Sequence, residues 1–190
     1  MSRQHGPWVI TDSKECYRDP WVRLRRDEVI RPDGDPGTYC VVDLKPGVSV
    51  LAMDDAGKVF LTEEFHYGVG RVTLETVSGG IESDEDALES AKRELQEEIG
   101  ITAELWTDLG TCDPFTANVV SPSKLYLAEG LTHGDASPEG TEQIRCVEMT
   151  LAEAFDAVMN SQITHSASSL AILKTYFLRG QPGSPPDMTG

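Results

Sequence analysis

The chain has 190 residues and a mass of 20.8 kDa, room for one ordinary domain with a small embellishment. Its 39% hydrophobic and 25% charged residues lie near the globular average, which excludes a fibrous, collagen-like or wholly disordered chain. With 32 acidic residues against 16 basic ones the formal charge is −16, which repels the phosphates a nucleic-acid binder must neutralise, so no nucleic-acid partner is expected. A small anionic substrate remains compatible where divalent cations or local Arg and Lys reverse the potential.

Residues 14–44 alternate short apolar and polar runs, broken at Asp19-Pro20 and across Pro32–Gly37, and predict a β-rich N-terminal arm over residues 1–44. Val48–Met53 and Lys58–Leu61 flank Asp54-Asp55-Ala56-Gly57, the pattern of a strand hairpin. The acids of that turn lack the remaining ligands of a calcium loop. From Ser83 to Ile99 the period becomes helical, with Ala87, Leu88, Ala91, Leu95 and Ile99 on one stripe. Ser83 and Asp86 resemble a capping box using the shorter acid, and Gly100 is a natural stop. Strands are expected near 104–112, 124–128 and 143–150, then helices over 151–159 and 166–178. The main domain thus runs over 45–179, and the Pro- and Gly-rich tail 180–190 is expected to be flexible.

Four widely scattered cysteines, Cys16, Cys40, Cys112 and Cys146, form no CxxC pair, which fits a reduced, cytoplasmic setting. The first residues lack the apolar stretch of a signal peptide, and no segment approaches the roughly 20 apolar residues of a membrane span, so no membrane partner is expected.

The chemistry concentrates on the helix that ends at Gly100. Glu94 and Glu98 are four apart and share a face, and Glu97 lies on the adjoining strip. These acids crowd the negative pole of the helix dipole, where each costs roughly 0.3–1 kcal/mol. Two unit charges about 6 Å apart at an effective dielectric of about 20 repel by about 3 kcal/mol before screening. A divalent cation reverses the sign of each of these terms, and carboxylates without thiolates are hard ligands suited to Mg2+ or Mn2+. The plain alternative is a solvated acidic face in an acidic protein.

The flanking residues decide between them. Gly79, five residues, Glu85, seven residues, Arg93-Glu94-Leu95, one residue, Glu97-Glu98, one residue and Gly100-Ile101 match the Nudix box at every fixed position. Seven such identities arise by chance on the order of once in 10⁸. The chain therefore resembles the Nudix hydrolases. The resemblance implies an α+β fold, an α/β/α sandwich with a mixed β-sheet, to which the β-rich N-terminal arm is added. It further implies Mg2+- or Mn2+-dependent hydrolysis of a nucleoside diphosphate linked to another moiety, giving a nucleoside monophosphate and a sugar phosphate. On this sequence Glu94, Glu98 and the Ser78 carbonyl would be metal ligands, and Glu97 a further ligand or hydrogen-bonding partner. Arg93, four before Glu97, would orient that carboxylate. Glu85 would brace the Gly79–Gly80 loop or reach a metal. In many relatives the general base lies on a later loop, where this chain has Glu139 and Glu142, with Glu142 favoured.

The wider sequence resembles the ADP-ribose pyrophosphatase and nucleoside diphosphate sugar hydrolase branch, through Glu63–Arg71, Leu74-Glu75 and Leu127–Leu131. That branch often dimerises through its N-terminal strands, which implies a homodimer. The branch commonly reads Gln-Tyr-Arg-Tyr where this chain has Glu64-Phe65-His66-Tyr67, and Leu-Pro-Ala where it has Thr76-Val77-Ser78. Arg71 is the candidate to replace the missing arginine, with His66 and Glu75 as further substrate contacts and Phe65, Tyr67 or Phe115 as candidates to stack on a base. ADP-ribose is the favoured substrate and other nucleotide sugars are alternatives; a catalytically silent nucleotide-binding module of the same fold is the rival reading.

Overall fold

The computed structural model describes residues 2–137, 140 and 143–180. In chain order the elements are β1 (Arg3–His5), β2 (Trp8–Arg18), β3 (Val22–Ile30), β4 (Pro36–Leu44), β5 (Gly47–Met53), β6 (Lys58–His66), β7 (Arg71–Glu75), β8 (Val77–Gly80), α1 (Ala87–Ile99), β9 (Ile101–Cys112), β10 (Val119–Val120), β11 (Ser123–His133), β12 (Arg145–Thr150), α2 (Leu151–Met159) and α3 (Ser166–Leu178). They fall into two compact units, Met1–Pro46 with Asp113–Pro122, and Gly47–Cys112 with Ser123–Gly190.

The first unit is a five-stranded sheet in the order β1-β2-β3-β4-β10. The meander forms because its turns carry their own hydrogen-bonding groups: Asp19 accepts from the backbone amides of Trp21 and Val22, and Gly34 takes φ +90° in the turn before β4. Only β10 runs parallel, pairing Val119 and Val120 with Val42 and Asp43 of β4.

The second unit carries the acidic helix. Its seven-stranded sheet follows the path β12-β6-β5-β11-β9, with β7 on β6 and β8 on β5, and it is mixed because β11 pairs in parallel with β5. Strand β5 is buried on both faces, so its side chains alternate between two cores. Val48, Val50 and Ala52 meet Ala91 and Leu95 of α1 on one side, while Leu51 and Met53 meet Ala154 of α2 and Ala171 and Ile172 of α3 on the other. The result is helix, sheet and helix in three layers.

The cap of helix α1 lies three residues later than the sequence suggests, at Asp86 and not Ser83. Asp86 is itself the N-cap, its carboxylate accepting from Leu88 N–H at 2.8 Å, so Ser83 and Asp86 form no capping box. Gly100 closes the helix in the left-handed region at φ 67°, with its N–H bonded to Gln96 and Leu95 carbonyls. A Cβ there would stand 2.5 Å from the Gly134 oxygen and 2.7 Å from the Ala136 nitrogen. Glycine is thus required by conformation and by close approach.

Candidate active site

Helix α1 and strand β8 build the site. In β8, Ser78 pairs with Ser49 and Gly79 with Val48 of the central strand β5. A Cβ on Gly79 would overlap the Glu94 carboxyl group, so only glycine lets the strand pass this close to the helix. That places the Ser78–Gly79 backbone directly beside an acid of the box.

Arg93 organises those acids more widely than its spacing to Glu97 predicts. Its Nε and Nη2 donate to the two Glu85 oxygens, each at 3.1 Å. Nη1 donates to Glu94 at 2.8 Å and to Glu97 at 3.0 Å, and Nη2 also donates to the Gly80 carbonyl at 3.2 Å. A planar fork with five donors suits this arrangement, which one ammonium could not reproduce. Glu85 additionally accepts from Ser90 Oγ at 2.6 Å. Hydrogen bonds from Arg93 and then Ser90 hold the Glu85 carboxyl at about 2, below its ordinary 4.5, while the same contacts raise Arg93 above the usual guanidinium value. Glu85 therefore braces the Gly80 turn through Arg93.

The one guanidinium of Arg93 meets three box carboxylates, Glu85, Glu94 and Glu97, and no basic residue stands in the last turn of α1. Among the described residues no three His, Cys, Asp or Glu side chains are already grouped as a metal centre, and Arg93 donates to both Glu94 and Glu97. The donor set nevertheless fits a hard dication: carboxylates gathered on one helix end, and a glycine in the neighbouring strand whose missing Cβ lets the Glu94 carboxyl group lie against the backbone. On the side of α1 that bears Glu85 and Glu97 opens a cavity of about 660 Å3, lined among others by Lys92, Arg93, Glu97, Trp106 and Ser137. That volume falls within the range of small-molecule sites.

The substrate candidates gather elsewhere in the same unit. His66 ends β6 and pairs in register with Arg71, which opens β7; Glu75 ends β7. His66 Nε2 lies 3.4 Å from Glu75 Oε1 and His165 Nδ1 lies 3.0 Å from Glu75 Oε2. Burial opposes ionisation of Glu75, but His165, Thr73 and His66 together outweigh it and hold the carboxyl below its ordinary value. Arg71 donates to Thr164 Oγ1 at 2.9 Å. Phe65 and Tyr67 are exposed on the β6–β7 hairpin, and Phe115 is exposed in the other unit. Glu139 and Glu142 lie outside the described residues. Sequence reading missed His165, Thr164 and Trp106, since each depends on contacts between distant elements; a helix N-cap position was the one signal at His165.

A NUDIX domain model matches residues 43–167, and a nucleoside diphosphate sugar hydrolase N-terminal domain model matches residues 8–42. The ADP-ribose pyrophosphatase of Mycobacterium tuberculosis is 31% identical over 160 residues, covering 80% of this chain and 75% of that protein. The ADP-ribose pyrophosphatase of Bacillus subtilis is 28% identical over 164 residues, covering 84% of this chain and 87% of its own. A crystal structure of an ADP compounds hydrolase shares the fold with a TM-score of 0.79 at 20% identity, over 95% of this chain and 98% of that one. The chain belongs to the Nudix family and is a pyrophosphohydrolase that acts on small nucleotide substrates. Nudix hydrolases generally use divalent metal ions. No described helix is long and apolar enough to cross a membrane, and all four cysteines are free.

Proposed function

We infer that the protein is a Mg2+-dependent, cytoplasmic and homodimeric enzyme that cleaves the pyrophosphate of ADP-ribose, giving AMP and ribose 5-phosphate. The observation that supports the hydrolytic reading is the close approach of Gly79 in β8 to the Glu94 carboxyl group of α1. Similarity to two ADP-ribose pyrophosphatases over most of the chain supports the choice of substrate.

Glu94, Glu98 and the Ser78 carbonyl would hold the cation. Bound there, it neutralises diphosphate charge and acidifies a coordinated water. Arg93 keeps Glu97 and Glu94 in place from one side, and Glu85 fixes Arg93 in turn. Glu142 takes the proton from the attacking water. Arg71, His66 and Glu75 bind the substrate, Arg71 by charge, His66 by a ring hydrogen bond and Glu75 by accepting hydroxyl hydrogen bonds.

The test is a panel of nucleoside diphosphate sugars and dinucleotides with Mg2+ or Mn2+, run in ¹⁸O water with products identified by mass. ADP-ribose turning over at least tenfold faster than any other member supports the assignment, and a preference for another nucleotide sugar refutes it. Glu98→Gln is expected to stay folded and lose about a hundredfold or more of kcat, on the scale of lost charge stabilisation at a reacting centre.

A further inference from the structure

The three residues before Gly79 read Thr76-Val77-Ser78, and the structure gives the departure from Leu-Pro-Ala a purpose. Thr76 stands between β7, which pairs with β6, and β8, which pairs with β5. It belongs to neither strand. At such a crossing the backbone groups need other partners, and hydroxyls supply both. Thr76 N–H donates to Ser168 Oγ of α3 at 3.0 Å, and the Thr76 carbonyl accepts from Ser78 Oγ at 2.9 Å.

The side chains close the same knot. Thr76 Oγ1 lies 3.0 Å from Ser168 Oγ and 2.5 Å from Ser49 Oγ, and Ser78 Oγ reaches Ser49 Oγ at 3.4 Å. Ser168 Oγ also meets His165 Nδ1 at 2.8 Å, the nitrogen that faces Glu75. Ser49, Thr76 and Ser168 are fully buried. Buried polar groups that satisfy one another in this way fix a unique local geometry. Three residues beyond Thr76, Gly79 and Glu94 are packed with no room for a methyl group, so any shift of β8 is felt by the Glu94 carboxylate.

We propose that Thr76 and Ser168 are positioning residues for the cation site, setting the Ser78 carbonyl and, through Gly79, the Glu94 carboxylate. The inference rests on the reading of Ser78, Glu94 and Glu98 as cation donors. It adds a layer behind them that ties the start of β8 to helix α3 on the opposite face of the sheet.

The test is direct titration of Mn2+ into the full-length protein, followed by the paramagnetic resonance of free Mn2+ at a temperature well below each variant's melting point. Thr76→Val keeps the shape and removes the hydroxyl; Ser168→Ala removes the acceptor of the Thr76 amide; Thr76→Ser restores the hydroxyl. The dissociation constant is expected to rise about tenfold in Thr76→Val and Ser168→Ala, as for lost outer-layer partners of a metal site, and to stay near the parent's in Thr76→Ser. Melting temperature does not substitute for this readout, since any core hydroxyl moves it. Parental Mn2+ affinity in Thr76→Val and Ser168→Ala, with Glu98→Gln weakened, overturns the positioning role alone. Parental affinity in Glu98→Gln as well overturns the cation-site reading and the positioning role with it. Should Thr76→Val not fold, Ser168→Ala decides by the same criterion.

Discussion

Gly79 concentrates the argument in one residue, because the space a side chain would occupy there is already filled by Glu94. Gly79→Ala is expected to destabilise the protein by about 1–3 kcal/mol, the scale of overpacking in a tight site. It should also lower turnover, since the carboxylate must move; a variant that melts and turns over like the parent contradicts this. Glu85 offers an independent check through pH. Its folded value of about 2 lies below the ordinary 4.5, so the native state binds fewer protons between those limits. The stabilisation is complete above about 4.5 and is lost as pH falls toward about 2. Glu85→Gln is therefore expected to flatten the acid limb of a stability–pH curve measured by urea unfolding, and an unchanged limb would show that Arg93 does not hold this carboxylate. The box residues were legible in the sequence because their spacing is local. The Thr76–Ser168 contact joins residues 92 apart, a separation at which no spacing rule operates.

Helix α1 shows how an element reconciles stability with an acidic end. Asp86 caps its start and Gly100 its finish, and the last turn carries acids without a compensating Lys or Arg of its own. Arg93, a turn earlier, donates to Glu94 and Glu97. Gly100→Ala must adopt a left-handed conformation costing roughly 1–2 kcal/mol, before any clash with residues 134–136. Its expected loss in urea unfolding is at least that amount, and a neutral substitution would contradict the cap. Helices over 151–159 and 166–178 were readable to the residue, since apolar runs there are long and bounded by Thr150 and His165. Strands β7 and β8 were not. They are 5 and 4 residues long, and their interruption at Thr76 is a matter of which neighbour each pairs with. Short segments without sustained alternation carry little periodic signal.

On the scale of the whole molecule, a formal charge of −16 fits a nucleotide hydrolase only if the potential is reversed where the diphosphate sits. Arg93 is engaged by three carboxylates of the box itself, Glu85, Glu94 and Glu97, so on the proposed reading the reversal falls to bound cations. Composition alone left a small anionic substrate compatible on that condition, and the Nudix box supplied the expectation of where cations would bind. The joining of Asp113–Pro122 to the first unit was not legible, because it arises from two residues of β10 pairing with β4 some 77 positions away. The most direct test of the account is anomalous diffraction at the manganese edge from crystals soaked in Mn2+ and a non-hydrolysable ADP-ribose analogue. The account predicts a peak at about 2.0–2.2 Å from Glu94 and Glu98 carboxylate oxygens, near the spacing hard dications take to oxygen. A fully bound analogue with no peak between those two residues would contradict it.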